Sequence, residues 1–290
     1  MPHLSRRALL LTGALSLVVA PLHAAPMRRI VSVGGAVTEI LYRLGMESEI
    51  VGVDSTSQFP TEALKTKANI GYVRALGAEG ILSLSPTLVL AGEGAGPPDT
   101  LLLIEQAGIP IIRVNDMPSP EGIADRIRDI ANALGAQERG AVLRDEVDRA
   151  FADLAHLRTR VPAPLRVLFV LSLQNGRPLV GGSGTTADAM LALAGATNAA
   201  STLSGWKPLS DEGIIAAAPE AIVMMTHGPG GPAGDPFALP SFAATPAAAG
   251  RRLVVMDGLY LLGFGPRTPS AARDLMMALY PGLLGTAQKP

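Results

Sequence analysis

Residues 76–90 read LGAEGILSLSPTLVL and residues 209–223 read LSDEGIIAAAPEAIV, and the two align without a gap at an offset of 133. Five of the fifteen positions are identical: the Leu, the Glu-Gly-Ile block and the Pro. The remaining apolar positions mostly agree in type. Each copy reads as a short helix with an acid near its start, a proline-marked break and an apolar strand. A repeat at nearly half the chain length predicts two related lobes.

Around the repeat, short apolar runs alternate with helical patterns. Strands are expected at 29–33, 49–53, 87–90 and 109–114, with helices at 36–44, 78–84 and 99–107 between them. A second series has strands at 166–171, 221–225 and 252–256 and helices at 184–194, 211–217, 239–245 and 269–279. Strands alternating with helices imply parallel pairing through helical crossovers. Between the series lie 121–134 and 136–159, a long helical stretch interrupted at Gly135. Its second part sets Arg144, Asp145, Glu146, Asp148 and Arg149 on one face and Leu143, Val147, Phe151 and Leu154 on another, an amphipathic, half-exposed helix. The expected fold is α/β, two Rossmann-like lobes bridged by a single long helix, with the ligand cleft between lobes where strand-end loops meet. The expected divisions are a signal peptide at 1–24, an N-terminal lobe at 25–135, a linker helix at 136–160 and a C-terminal lobe at 161–290.

The chain has 290 residues, 48% of them hydrophobic, enough for sizeable cores. A formal charge of −1 excludes a polybasic nucleic-acid surface, whose affinity rests on many phosphate contacts. The absence of cysteine excludes disulfides, thiolate zinc sites, iron–sulfur clusters, a cysteine nucleophile and a lipid anchor on an N-terminal cysteine. Ser5-Arg6-Arg7, an apolar run over 8–22 and the small residues Ala24 and Ala25 read as an export signal. The run is shorter than a membrane-spanning helix of about 20 residues. The arginine pair leaves both the general and the twin-arginine export routes open. Cleavage near Ala24 removes two arginines and no acid, which takes the net charge to −3 and predicts a soluble periplasmic protein.

Few residues carry chemistry. The 180–186 cluster VGGSGTT could turn backbone N–H groups onto an anion. It lacks the lysine of a phosphate loop and the full GxGxxG spacing, so a glycine turn in the cleft wall is the stronger reading. No G-x-S-x-G elbow is present. Of the four histidines, His3 and His23 fall in the signal and His156 on the charged helix, leaving His227 after the 221–225 strand. One histidine cannot build a multi-histidine zinc or manganese site. An exported hydrolase using His227 and Asp235 as an acid/base pair is a remote alternative without a nucleophile.

Tyr72 stands in Asn69-Ile70-Gly71-Tyr72-Val73-Arg74. A phenolate is a hard anion suited to Fe(III), and tyrosine is one of the axial ligands that hold haem iron. A free phenol titrates near pH 10, so ligation needs the metal and a neighbouring cation. Arg74 could supply that cation, or fork onto a carboxylate. On the residue alone, an ordinary hydrogen-bonded loop tyrosine is the plainer reading. Trp206 precedes the second repeat much as Tyr72 precedes the first, and lines the pocket or is buried in the second lobe. The Gly- and Pro-rich stretch 228–246 is a pocket rim or a surface loop.

The order of the pieces resembles the periplasmic substrate-binding proteins of ABC importers for haem, cobalamin and iron–siderophores. The likeness is carried by RRIVSVGGAVTEILYRLG (28–45), IVGVD (50–54), AGIPIIRV (107–114), VGGSGTTADAMLALAGATN (180–198) and LYLLGFGPRTPSA (259–271). GYVRALGAEGILSL (71–84) is similar to the haem-binding branch in particular. The resemblance implies a carrier rather than an enzyme, one that captures ferric haem and delivers it to an inner-membrane ABC importer. It implies a permease dimer with its ATPase and an outer-membrane haem receptor upstream as partners, and a monomeric carrier. Tyr72 would be the axial iron ligand, Arg74 its electrostatic or propionate partner, and His227 and Trp206 further cofactor contacts. The branch often has arginine where this chain has His227, which leaves His227 to hydrogen-bond, to ligate weakly or to do neither. Glu79 and Glu212, inside the repeat, would dock to the permease, although an acid also suits the positive N-terminal end of a helix. A cobalamin or iron–siderophore carrier, with Tyr72 only lining the pocket, is the same-fold alternative.

Overall fold

Strict alternation of buried side chains builds the N-terminal sheet. Ile30, Leu88 and Leu90 enter one core, while Val31, Val33, Val89 and Ala91 enter another on the opposite face. The computed structural model describes residues 28–173, 177–226 and 234–283. The elements of this lobe are β1 (Ile30–Val33), α1 (Gly35–Arg43), β2 (Ile50–Val53), α2 (Glu62–Thr66), β3 (Ala68–Asn69), β4 (Gly71–Tyr72), β5 (Ala75–Leu76), α3 (Ala78–Leu82), β6 (Leu88–Gly92), α4 (Pro98–Gln106) and β7 (Ile111–Val114). The sheet runs β3-β2-β1-β6-β7, all parallel. β4 and β5 stand apart as a small antiparallel hairpin.

Two helices then lead across. In α5 (Pro120–Leu134), Ser119 caps the first turn by accepting from Gly122 N. The helix stops at Gly135, whose left-handed conformation (φ 69°, ψ 29°) suits the one residue without a Cβ. The 22-residue α6 (Gln137–Arg158) buries a stripe of Gly140, Leu143, Val147, Phe151 and Leu154. A Cβ on Gly140 would lie 2.4 Å from Ala131 Cβ, so the close crossing of α5 and α6 requires glycine there.

The second lobe comprises β8 (Arg166–Ser172), β9 (Leu179–Gly181), α7 (Thr186–Leu193), β10 (Thr197–Asn198), β11 (Trp206–Pro208), α8 (Asp211–Ala217), β12 (Ala221–Thr226), α9 (Pro240–Ala243), α10 (Pro246–Ala249), β13 (Leu253–Asp257), α11 (Gly258–Leu262) and α12 (Thr268–Leu279). Its sheet runs β11-β9-β8-β12-β13, with β10 beside β8. The central strands are parallel, and β9 and β11 form an antiparallel edge. The repeat falls on α3–β6 in one lobe and α8–β12 in the other. β6 and β12 start 133 residues apart and sit beside the first long strand of their sheets. The helix expected at 239–245 is a single turn, α9, and a separate turn, α10, starts just beyond it, because Pro240 and Pro246 each fit only the start of a helix.

One core joins the lobes. Ile40, Leu41, Ile123 and Ile127 share a cluster with Leu143, Val147 and Phe151 of α6 and with Phe169, Met190, Leu275 and Met276. Each sheet has a second, local core on its other face. Among the described residues no helix is long and apolar enough to cross a membrane.

Candidate functional site

The carboxyl ends of the two sheets face each other, and loops from both meet at the floor of the cleft. Gly35, just after β1, approaches α11 so closely that a Cβ there would lie 2.5 Å from Leu259 Cδ1. Arg126 of α5, almost fully buried, donates from Nη1 to Phe264 O (2.7 Å) and from Nε to Asn115 O (2.5 Å). Arg267 donates from Nε to Glu39 Oε2 (3.0 Å), and its guanidinium lies 3.5 Å from the centre of the Phe59 ring. Three cross-lobe contacts thus fall on the short segment 258–267. The surface hollows lined by Arg158 to Thr197 (about 370 Å³) and by Arg43 to Glu146 (about 340 Å³) lie on the linker-helix side, away from these strand ends.

Tyr72 sits on the β4–β5 hairpin at the carboxyl end of the N-terminal sheet. Gly71 takes φ +97°, open to glycine, and its N–H donates to Asn69 Oδ1. Its carbonyl accepts from Ser55 N (2.8 Å), while Gly96 N donates to Val73 O (2.9 Å) and Leu76 N to Gly96 O (3.0 Å). Ser55 belongs to a turn organised by Asp54. That fully buried carboxylate accepts from Gly34 N (2.7 Å), Thr56 N (2.9 Å), Ser57 Oγ (2.9 Å) and Thr56 Oγ1. The hairpin is clipped on both sides, and Tyr72 on it is 49% exposed. Arg74 is exposed on the same hairpin.

The four tyrosines divide clearly. Tyr280 is buried, donating to Gly195 O and accepting from Leu165 N. Tyr260 donates to Asp274 Oδ2 (2.9 Å), and burial with that carboxylate pushes its phenol up to about 12. Both are held in the protonated form. Tyr42 packs half-buried against the shared core on α1. Tyr72 is the tyrosine whose ring is turned outward at the cleft end of its lobe.

Trp206 lies on the edge strand β11 opposite Gly181, half-buried and edge-on to Phe169, with ring centres 5.9 Å apart. Glu79 and Glu212 are both exposed, each the second residue of its helix. His156 is exposed on α6. His227 and the first six residues of 228–246 lie outside the described residues, as does the signal segment. Asp235 is paired with Arg251 (2.8 Å) and accepts from Phe237 N, and the arginine holds its carboxyl below the usual range. Such an acid stays ionised at neutral pH and has no proton to give.

Sequence reading passed over several residues of the floor. Phe59 and Met117 are exposed on loops after β2 and β7. From the second lobe Arg267 lies over Phe59, with its guanidinium 5.1 Å from the Tyr260 ring centre. An aromatic or methionine in a strand-end loop was the available signal. Among the described residues no group of three His, Asp or Glu side chains could hold a metal ion.

Known proteins fall in line with this geometry. The structure of the periplasmic heme-binding protein RhuT from Roseiflexus sp. RS-1, in apo form, superposes with a TM-score of 0.83 at 42% identity, covering 88% of this chain and 99% of that one. A periplasmic heme-binding protein from Pseudomonas aeruginosa gives 0.78 at 35% identity, over 91% of this chain and 94% of its own. The vitamin B12-binding protein of Pectobacterium atrosepticum is 28% identical over 220 residues, 74% of this chain and 76% of the relative. The model of the family described as periplasmic binding protein matches residues 30–259.

Proposed function

We propose that this chain, which belongs to the periplasmic binding protein family, captures ferric haem between its lobes and delivers it to an inner-membrane ABC importer. The observation that carries the reading is Tyr72, exposed at the cleft end of its lobe on a hairpin fixed from both sides, while Tyr260 and Tyr280 have their hydroxyls engaged. The likeness to haem-binding structures at 42% and 35% identity supports it. Tyr72 is the axial ligand in this reading and Arg74 the cation that stabilises its phenolate. His227 would face the ligand from the second lobe. Phe59, Met117 and Tyr260 supply apolar surface for a flat macrocycle.

Glu79 and Glu212 are the proposed docking points for the two permease subunits. They are exposed and equivalent in the repeat, so a two-fold partner could engage both in the same way. The signal peptide of this chain would be removed near Ala24 on export.

Titration of the purified protein with hemin tests the reading. A high-spin ferric tyrosinate spectrum that is lost in Tyr72→Phe is the expected result, and no spectral change on adding hemin refutes it. The relation to a vitamin B12-binding protein favours one rival, a cobalamin carrier. Binding of cyanocobalamin in place of hemin would establish that rival.

A further inference from the structure

We infer that Arg267 is a second anchor for the ligand, a guanidinium fork on the cleft floor that takes a carboxylate of the bound tetrapyrrole; this rests on the haem reading above. The argument starts from how the side chain is held. Arg267 stands at the N-terminal cap of α12, in the second lobe, yet its planar group lies 3.5 Å from the Phe59 ring centre and 5.1 Å from that of Tyr260. Stacking of this kind fixes the plane of a guanidinium. Its Nε is spent on Glu39 Oε2 at 3.0 Å, which fixes its rotation within that plane. Among the described residues neither Nη atom has an ion-pair or hydrogen-bond partner. The side chain is 26% exposed, whereas Glu39 behind it is 4% exposed. The open edge of the fork is therefore the part that meets solvent.

The charge balance favours an anion there. The Glu39 carboxylate touches the fork on its closed side only, and its Oε1 has no partner. Burial pushes the Glu39 carboxyl above its ordinary value in spite of Arg267. α12 opens without a side-chain cap, which adds positive potential at the same place.

Position links this fork to Tyr72. Phe59 lies on the loop that follows β2, and Ser55 of that loop donates to the carbonyl of Gly71, next to Tyr72. The iron ligand and the fork are thus set by one loop, and Arg74 and Arg267 come from different lobes. A ligand that ties its metal to Tyr72 and its acid groups to two arginines would bridge the lobes.

The test compares hemin with hemin dimethyl ester, in which both propionates are blocked, in the full-length protein. The wild type is expected to bind hemin at least ten-fold more tightly than the diester. The double variant Arg267→Met with Glu39→Gln, which leaves no buried carboxylate without its partner, should lose most of that preference while keeping the tyrosinate spectrum of Tyr72. Arg267→Lys, which keeps a cation for Glu39 but no planar fork, should lose several-fold and serves if the double variant does not fold. A preference that survives both substitutions overturns the proposal. So does a wild type that gives the tyrosinate spectrum with both ligands at equal affinity, and that outcome leaves the haem reading standing. A wild type that binds no hemin overturns the haem reading and this one with it.

Discussion

Ser85 and Ala218 occupy the same place in the two lobes, 133 residues apart, and both adopt the left-handed conformation, with φ of 46° and 42°. Each stands between the repeat's helix and the proline that precedes its central strand. Around them the hydrogen bonds also match. Arg29 Nη2 donates to Leu84 O (2.6 Å) and Arg166 Nη2 to Ala217 O (2.8 Å). Thr87 N donates to Arg29 O and Glu220 N to Arg166 O, both at 2.8 Å. Each arginine leads its lobe's first long strand, and its side chain satisfies a carbonyl that the end of a helix leaves open. The lobes share a structural device as well as a sequence pattern.

A left-handed conformation costs a residue with a Cβ about 1–2 kcal/mol, and glycine escapes most of that. Ala218→Gly and Ser85→Gly should therefore each raise stability, by about 0.5–1 kcal/mol after the extra chain entropy of glycine is deducted. Being in different lobes, the two should add. Urea unfolding midpoints of the single and double variants check this.

Gly35 is the opposite case, a glycine that a side chain would disrupt. A Cβ there would lie 2.5 Å from Leu259 Cδ1 and 2.6 Å from the backbone oxygen of Thr56. The carbonyl cannot yield as a side chain can. Gly35→Ala should cost about 1–3 kcal/mol through overpacking and should weaken hemin binding, because it presses the lobes apart at the floor. Calorimetric unfolding and a hemin titration on the same sample read both effects.

Much of the fold was legible because it rests on local rules. The short apolar runs of β6 and β12, the glycine stop at Gly135 and the acid-led repeat helices all depend on neighbours in sequence. Tyr72 was singled out by the resemblance of GYVRALGAEGILSL to the haem-binding branch, since Gly71 and Arg74 beside it fit an ordinary loop tyrosine as well. The floor was not legible. Glu39 and Arg267 are 228 residues apart, Arg126 and Phe264 138 apart, and no periodicity reports which carbonyl a buried arginine will reach. The antiparallel edge of β9 and β11 escaped because three-residue strands carry too little pattern. Trp206 was ambiguous because an aromatic before a helix fits a pocket and a core equally, and only the packing against Phe169 shows where its ring lies.

Tyr260 supplies a spectroscopic prediction. Its phenol, lifted to about 12 by burial and by the Asp274 carboxylate, is more firmly protonated in the folded protein than in the unfolded chain. The stability this gives is full below pH 10 and is lost as pH rises through about 12. In an alkaline titration followed by ultraviolet difference absorbance, the wild type should show a phenol ionising near 12 that is missing in Tyr260→Phe. A phenol titrating near 10 in its place would contradict the hydrogen bond to Asp274.

Glu39 gives the corresponding prediction on the acid side. Burial raises its carboxyl above the ordinary 4.5, and the attraction of Arg267 and Arg43 only partly opposes this. The folded state then binds the proton more tightly than the unfolded one. Its contribution to stability is full below pH 4.5 and is lost as pH climbs through the raised folded value. Glu39→Gln, neutral throughout, removes that dependence. The stability of the variant relative to the wild type should therefore increase from pH 4.5 toward neutrality, even though the variant gives up a charge-assisted bond to Arg267. Urea unfolding of both proteins at steps across that range measures the difference. A gap that stays constant with pH would mean that Arg267 holds Glu39 fully ionised.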